Sequence, residues 1–149
     1  MATASASHGA TTSLIGRLLA GIVGGLAGGV VFGVLMQMMG MIPMVAMLVG
    51  TEAVAVGWLV HLAISAFIGA TFALFFAPIA NRVVAALFLG MGYGVVWWII
   101  GGLLIMPARL GMPVFQFGTT AWMSLMGHLV FGLLLGLGYA LVQPRLKRD

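Results

Sequence analysis

The chain has 149 residues, of which 63% are hydrophobic and only 5% are charged, and its mean hydropathy is +1.25. This much apolar surface exceeds what a water-soluble domain of this size can bury, so the composition predicts an integral membrane protein. The net charge of +4 comes from scattered and terminal basic residues, which argues against nucleic acid as a partner, and the lack of cysteine excludes disulfides, thiolate zinc sites and a cysteine nucleophile.

The first segment, residues 1–13, is rich in Ala, Ser and Thr. We expect it to be a disordered lead-in to a single transmembrane domain over residues 14–149. The apolar stretch that follows is long and has no charge before Arg17, and no convincing cleavage site follows it. We therefore expect a retained helix, not a signal peptide.

Four apolar stretches, residues 18–40, 54–77, 83–106 and 120–142, are long enough to cross a hydrocarbon core. A core about 30 Å thick requires about 20 helical residues. Because lipid offers no hydrogen bonds to the backbone, and the stretches are too long for barrel strands, the sequence predicts four transmembrane helices. Prolines lie at or just beyond the ends of the helices: Pro43, Pro78, Pro107 and Pro144.

The basic residues near the helix ends predict the orientation of the four helices. Five of the six fall on one side of the membrane, and only Arg109 falls on the other. Since positive residues are enriched in cytoplasmic loops, we expect both termini to be cytoplasmic.

A stripe with a histidine in it occurs twice, and every member recurs 67 residues later: Gly57, His61, Ser65, Gly69 and Ala73, then Ser124, His128, Gly132, Gly136 and Ala140. The sequence motifs Gly-Val-Val, Pro and Gly-Thr also recur at similar offsets. We interpret the chain as two similar hairpins in tandem, about residues 18–77 and 83–142. An even number of crossings separates them, so the two hairpins have the same orientation.

Small residues at every fourth position give each helix a face that admits a close neighbour. In lipid, helices associate through such faces because the tails are as apolar as leucine. The sequence therefore predicts a four-helix bundle, with homo-oligomerisation as an alternative use of these faces. The predicted packing glycines are Gly21, Gly25, Gly29, Gly33, Gly69, Gly90, Gly94, Gly132 and Gly136.

His61 and His128 are the main candidate site because ionisable residues inside a membrane are costly and tend to face the protein interior. Three hypotheses remain open. The histidines form buried hydrogen bonds, with Gln37, Ser65, Ser124 or a carbonyl as partner; they ligate a b-type haem; or they form a proton-relay or cation site with Gln37 and Glu52. We expect them to lie at the same depth and to face the bundle interior, where they approach either each other or one shared polar group or cofactor.

The loops between the helices of each hairpin are short and carry few charges. Glu52 is the only charge in residues 41–53, and Arg109 is the only charge in residues 107–119. We expect these segments to lie along the membrane surface or to fold over the bundle, and Glu52 and Arg109 to be candidates for pairing there. Six methionines crowd residues 36–47; thioethers suit Cu(I), but the irregular spacing favours packing.

Three segments resemble the YagU-like uncharacterised inner-membrane proteins. They are residues 60–65 (VHLAIS), the MP and GMPVF motifs at residues 106–107 and 111–115, and residues 127–132 (GHLVFG). The resemblance implies a multi-spanning prokaryotic membrane protein in which histidines at positions 61 and 128 recur among similar proteins. It implies no substrate.

Together these patterns predict an all-α, four-helix membrane bundle without enzymatic activity. We expect a membrane module or accessory subunit that contacts the lipid bilayer and forms a homo-oligomer or part of a larger membrane complex. A b-type haem protein that transfers electrons is the alternative, followed by a small transporter or channel. No metal site and no catalytic residue are predicted.

Overall fold

A computed structural model describes residues 6–143, with side chains from residue 14 onward. Helices are the main regular elements in this part of the chain. In order they are α1 (Ala6–Met38), α2 (Ile42–Met47), α3 (Val54–Phe76), α4 (Val83–Trp97), a π-helix (Trp98–Ile105), α5 (Met106–Arg109) and α6 (Thr119–Val142).

Four continuous helical stretches are long and apolar enough to cross a membrane: Leu14–Met38, Val54–Phe76, Val83–Arg109 and Thr119–Val142. The predicted all-α fold with four spans is confirmed, with ends that differ by a few residues. One difference is larger. α1 begins at Ala6, so residues 6–13 of the predicted disordered lead-in are helical, because adding residues to an existing helix avoids the cost of nucleation. Residues 1–5 of that lead-in lie outside the described residues.

The four spans pack in the order α3, α1, α6, α4. α1 and α6 are in contact at the centre of the bundle, α3 covers α1, and α4 covers α6. α3 and α4 make little direct contact with each other. We call the end of the bundle at residues 39–53 and 106–118 the hairpin end, and the opposite end, with residues 77–82, the terminal end.

Glycines allow the backbones of α1 and α3, and those of α4 and α6, to come into direct contact. A Cβ atom added to Gly25 would collide with the carbonyl oxygen of Ser65, and one added to Gly90 would collide with that of Gly132. Each of the nine glycines assigned to packing from the sequence would meet an atom of another helix in this way. Any larger side chain at these positions would push the helices apart.

The two hairpins differ in how the chain leaves its first span. After α1 the backbone turns at Gly40, whose φ is +68°, and Met41 N–H donates to the Met36 carbonyl over 2.8 Å, as in a Schellman motif. At the corresponding point of the second hairpin the chain does not turn, and α4 continues through the π-helix into α5. The turn there comes later, at Gly111, where φ is also +68°.

Candidate functional site

A cavity of about 590 Å³ occupies the hairpin end of the bundle. Its walls come from α3 on one side and from the π-helix and α6 on the other, with α2 and α5 at the loops. The lining is mostly aliphatic, aromatic and methionine side chains, and it includes both intramembrane histidines. The loop segments were expected to lie on the membrane surface or fold over the bundle, and both line this cavity.

The cavity exists because α3 and α4 meet only toward the terminal end. There the Thr71 hydroxyl and the Tyr93 hydroxyl are hydrogen-bonded over 2.8 Å, and Phe72 packs against Tyr93 and Tyr139. Phe67 and Trp97, whose ring centroids are 6.1 Å apart, mark the edge of this contact. Beyond them, toward the hairpin end, the two helices leave a gap that the cavity occupies.

His61 forms a hydrogen bond between helices. Its Nε2 atom lies 2.8 Å from the Gly29 carbonyl oxygen of α1. Since a carbonyl only accepts, Nε2 must carry the proton and donate it. The Ser65 hydroxyl donates to the His61 carbonyl over 2.8 Å, and both side chains are buried. His61 therefore fastens α3 to α1.

His128 forms its hydrogen bond within its own helix. Its Nδ1 atom donates to the Ser124 carbonyl over 2.8 Å, and the Ser124 hydroxyl lies 3.4 Å from the same nitrogen. In the described part of the chain no hydrogen-bond partner faces Nε2 of His128. That nitrogen is also not sealed from the surroundings, because Trp97 Nε1 is the only fully buried side-chain polar atom without a partner there.

Phe32 packs against both histidines. Its ring centroid is 5.6 Å from that of His61 and 4.7 Å from that of His128, and both contacts are edge-to-face. The neighbour that the two histidines share is therefore an aromatic ring, whereas the sequence suggested a polar group or a cofactor, and that expectation stays a prediction. Phe32 has no polar atom, so nothing in the sequence marks it as a candidate site residue.

The other predicted polar residues divide into two groups. Ser65 and Ser124 line the cavity with the histidines. Gln37 instead accepts a hydrogen bond from Trp58 Nε1 at 3.2 Å, and it reaches His61 only through the Trp58 ring. Glu52 and Arg109 are exposed and do not line the cavity, and a pairing between them stays a prediction.

The π-helix supplies part of the cavity wall, and sequence reasoning missed it. A π-helix bonds each N–H to the carbonyl five residues earlier, and such turns often occur at functional sites. Trp98 Nε1 donates to the Ala121 carbonyl over 3.0 Å, and Phe115 N–H donates to the Leu103 carbonyl over 2.9 Å. These bonds hold α6, and the loop between α5 and α6, against the π-helix. Gly101-Gly102 is the only hint in the sequence.

A bis-histidine haem does not fit this arrangement. The imidazoles would have to present free nitrogens to opposite faces of one porphyrin, whereas His61 Nε2 is bonded to the Gly29 carbonyl and both rings pack against Phe32. Among the described residues there is also no group of three or more His, Cys, Asp or Glu side chains able to hold a metal ion. The arrangement is suited to holding an apolar molecule beside one hydrogen-bonding imidazole.

Comparisons with protein-family models, with curated proteins and with solved structures find no match to this chain.

Proposed function

We propose that the protein is a non-enzymatic, multi-pass membrane module that binds a lipophilic molecule from the bilayer in the hairpin-end cavity. The observation that carries this proposal is the combination of a large apolar lining with a few converging polar groups, His61, Ser65, Ser124 and His128. Pockets that bind small molecules have this character and a volume of about 300–1,000 Å³.

The rim of the cavity supports entry from the lipid. Ile64, Phe67 and Ile105 all line the cavity, and all three are exposed on the outside of the bundle, Phe67 by 58%. In a bilayer these exposed apolar side chains face acyl chains. A molecule dissolved in the membrane therefore reaches the cavity between α3 and the π-helix without crossing the polar surface.

We propose further that the two hairpins are a duplication. Gly25 packs on the Ser65 carbonyl in the first hairpin, and Gly90 packs on the Gly132 carbonyl in the second. These pairs stand at the offsets at which the sequence motifs recur, which supports the repeat. On the sequence patterns given above, we also propose that the chain is one of the YagU-like proteins. It would lie in an inner membrane with cytoplasmic termini and act as a homo-oligomer or an accessory subunit.

The binding proposal can be tested with naphthalene as the probe. Purified protein in detergent micelles is dialysed to equilibrium against empty micelles, and naphthalene is measured on both sides. An apolar cavity of only about 150 Å³ already binds benzene, so a cavity of this size should retain an excess of naphthalene on the protein side. An equal distribution would overturn the proposal.

A matched pair of variants tests whether the excess naphthalene is bound in the cavity. Gly102 lines the cavity and has room for a Cβ, whose nearest neighbour is 3.4 Å away, so Gly102→Leu should fill the space and abolish the excess. Gly92→Leu places the same side chain where nothing lies within 4 Å of the Cβ and outside the cavity lining, and should leave the excess unchanged. Equal effects of the two variants would contradict the assignment.

A further inference from the structure

We infer that the ligand of this cavity is a neutral lipophile bearing a hydroxyl group, and that the hydroxyl donates its hydrogen bond to Nε2 of His128. This inference rests on the proposed function, because it names the chemical class of the molecule that the cavity would bind. It is carried by the hydrogen bonds of the two histidines and by the polar groups that remain beside them.

The two histidines have different roles because their hydrogen bonds differ. At equivalent positions of the two hairpins, His61 bonds to another helix and His128 bonds to the preceding turn of its own helix. His61 is occupied in joining α3 to α1. The hydrogen bond of His128 joins no two helices, and its half-buried ring lines the cavity.

The hydrogen bond of His128 Nδ1 determines whether the other ring nitrogen, Nε2, can donate or accept a hydrogen bond. Nδ1 carries the proton that it donates to the Ser124 carbonyl, so Nε2 of the neutral imidazole carries a lone pair and can only accept. A partner for Nε2 must therefore present a hydrogen. The Ser124 hydroxyl, 3.4 Å from Nδ1 of the same ring, also lines the cavity. A hydroxyl group on the ligand is the simple group that can donate to Nε2 and can also accept from another hydroxyl in the cavity.

Three other polar groups of the wall already donate to carbonyls. The Ser65 hydroxyl donates to the His61 carbonyl, Trp98 Nε1 donates to the Ala121 carbonyl, and the Gln116 amide donates to the Val114 carbonyl. Two further lining residues carry polar groups: Thr120, and Trp97, whose Nε1 is fully buried and has no partner among the described residues. No charged side chain of the described residues lines the cavity. Burying an unpaired charge is costly, so a charged ligand is disfavoured and a neutral one is expected.

The experiment compares two probes in which the same oxygen carries either a hydrogen or a methyl group. 2-Naphthol and 2-methoxynaphthalene share a ring and an oxygen that accepts, but only the naphthol can donate. Equilibrium dialysis against empty micelles corrects for their different partition into detergent. We expect the naphthol to bind the wild-type protein about 2- to 12-fold more tightly, the range for one net hydrogen bond.

The His128→Phe variant tests whether His128 is the residue that causes the preference for 2-naphthol. It keeps a ring of similar shape but has no acceptor, so both probes should bind it equally, while His61→Phe should keep the preference. If His128→Phe does not fold, the nitrogen-15 resonance of Nε2 in wild-type protein gives the same information. It should move toward the shift of a hydrogen-bonded acceptor with 2-naphthol and stay in place with 2-methoxynaphthalene.

The outcomes separate this inference from the proposed function. If both probes bind the wild-type protein equally and Gly102→Leu expels both, the cavity binds lipophiles but the hydroxyl inference is wrong. If the preference for 2-naphthol survives His128→Phe, the inference is wrong about the residue. If neither probe exceeds its level in empty micelles, the proposed function itself fails.

Discussion

The substitution Gly90→Ala should weaken the bundle, whereas Gly92→Ala, two residues away on the same helix, should not. A Cβ at position 90 would collide with the Gly132 carbonyl oxygen and lie 3.0 Å from the Gly136 backbone nitrogen. These are backbone atoms, which cannot rotate away as a side chain can. At position 92 nothing lies within 4 Å. The two variants therefore carry the same chemical change on opposite faces of α4.

The contact distances set the size of the effect. Heavy atoms in ordinary contact are about 3.5–4.0 Å apart, so relieving the Gly136 contact alone would separate α4 and α6 by about 0.5–1 Å, and the shorter Gly132 contact requires more. A gap of about 0.5–1 Å already forfeits about a quarter to a half of each contact energy it opens. Overpacking of this kind typically costs about 1–3 kcal/mol. We expect the free energy of unfolding of Gly90→Ala to fall below that of Gly92→Ala by this amount.

The assay is reversible unfolding in mixed micelles, with increasing dodecyl sulfate and helix content followed by circular dichroism. Comparing the two variants removes the intrinsic preference of Ala over Gly for a helix, since that preference is common to both. Equal stabilities would refute the close approach of α4 and α6 at Gly90. A loss seen only in an oligomer would assign that face of α4 to self-association instead.

Two further predictions use the same unfolding assay. His61→Phe should cost about 0.5–1.5 kcal/mol because it removes a hydrogen bond between two helices, and His128→Phe should cost less because its bond lies within one helix; the reverse order would contradict this division. Trp98→Phe should be more destabilising than Trp97→Phe, since Trp98 Nε1 donates to a carbonyl and the buried Trp97 Nε1 has no partner among the described residues. Equal losses would count against the Trp98 hydrogen bond.

The spans were predictable because bilayer thickness and backbone hydrogen bonding leave few choices to a long apolar stretch. The glycine faces followed from the four-residue step, which places small side chains on one side of a helix whatever the neighbour is. These features depend on periodicity, and periodicity is visible in a sequence.

The cavity was not predictable, because it depends on how two helices diverge. The π-helix at Trp98–Ile105 has no distinctive composition, and it replaces a turn that in the first hairpin requires Gly40. The different bonds of His61 and His128 were equally hidden, since both residues lie in the same stripe of small neighbours. The carbonyl that an imidazole reaches depends on side-chain rotation and on the distance between helices. Neither of these produces a periodic pattern in the sequence.

The position of Phe32 also has a consequence for the movement of protons. A proton passes between groups along a chain of N–H, O–H or water donors and acceptors, and a phenyl ring offers none of these. Phe32 is the aromatic neighbour that both imidazoles share, through one edge-to-face contact each. That shared contact cannot relay a proton, so a proton wire between these histidines would have to run through other donors and acceptors in the cavity.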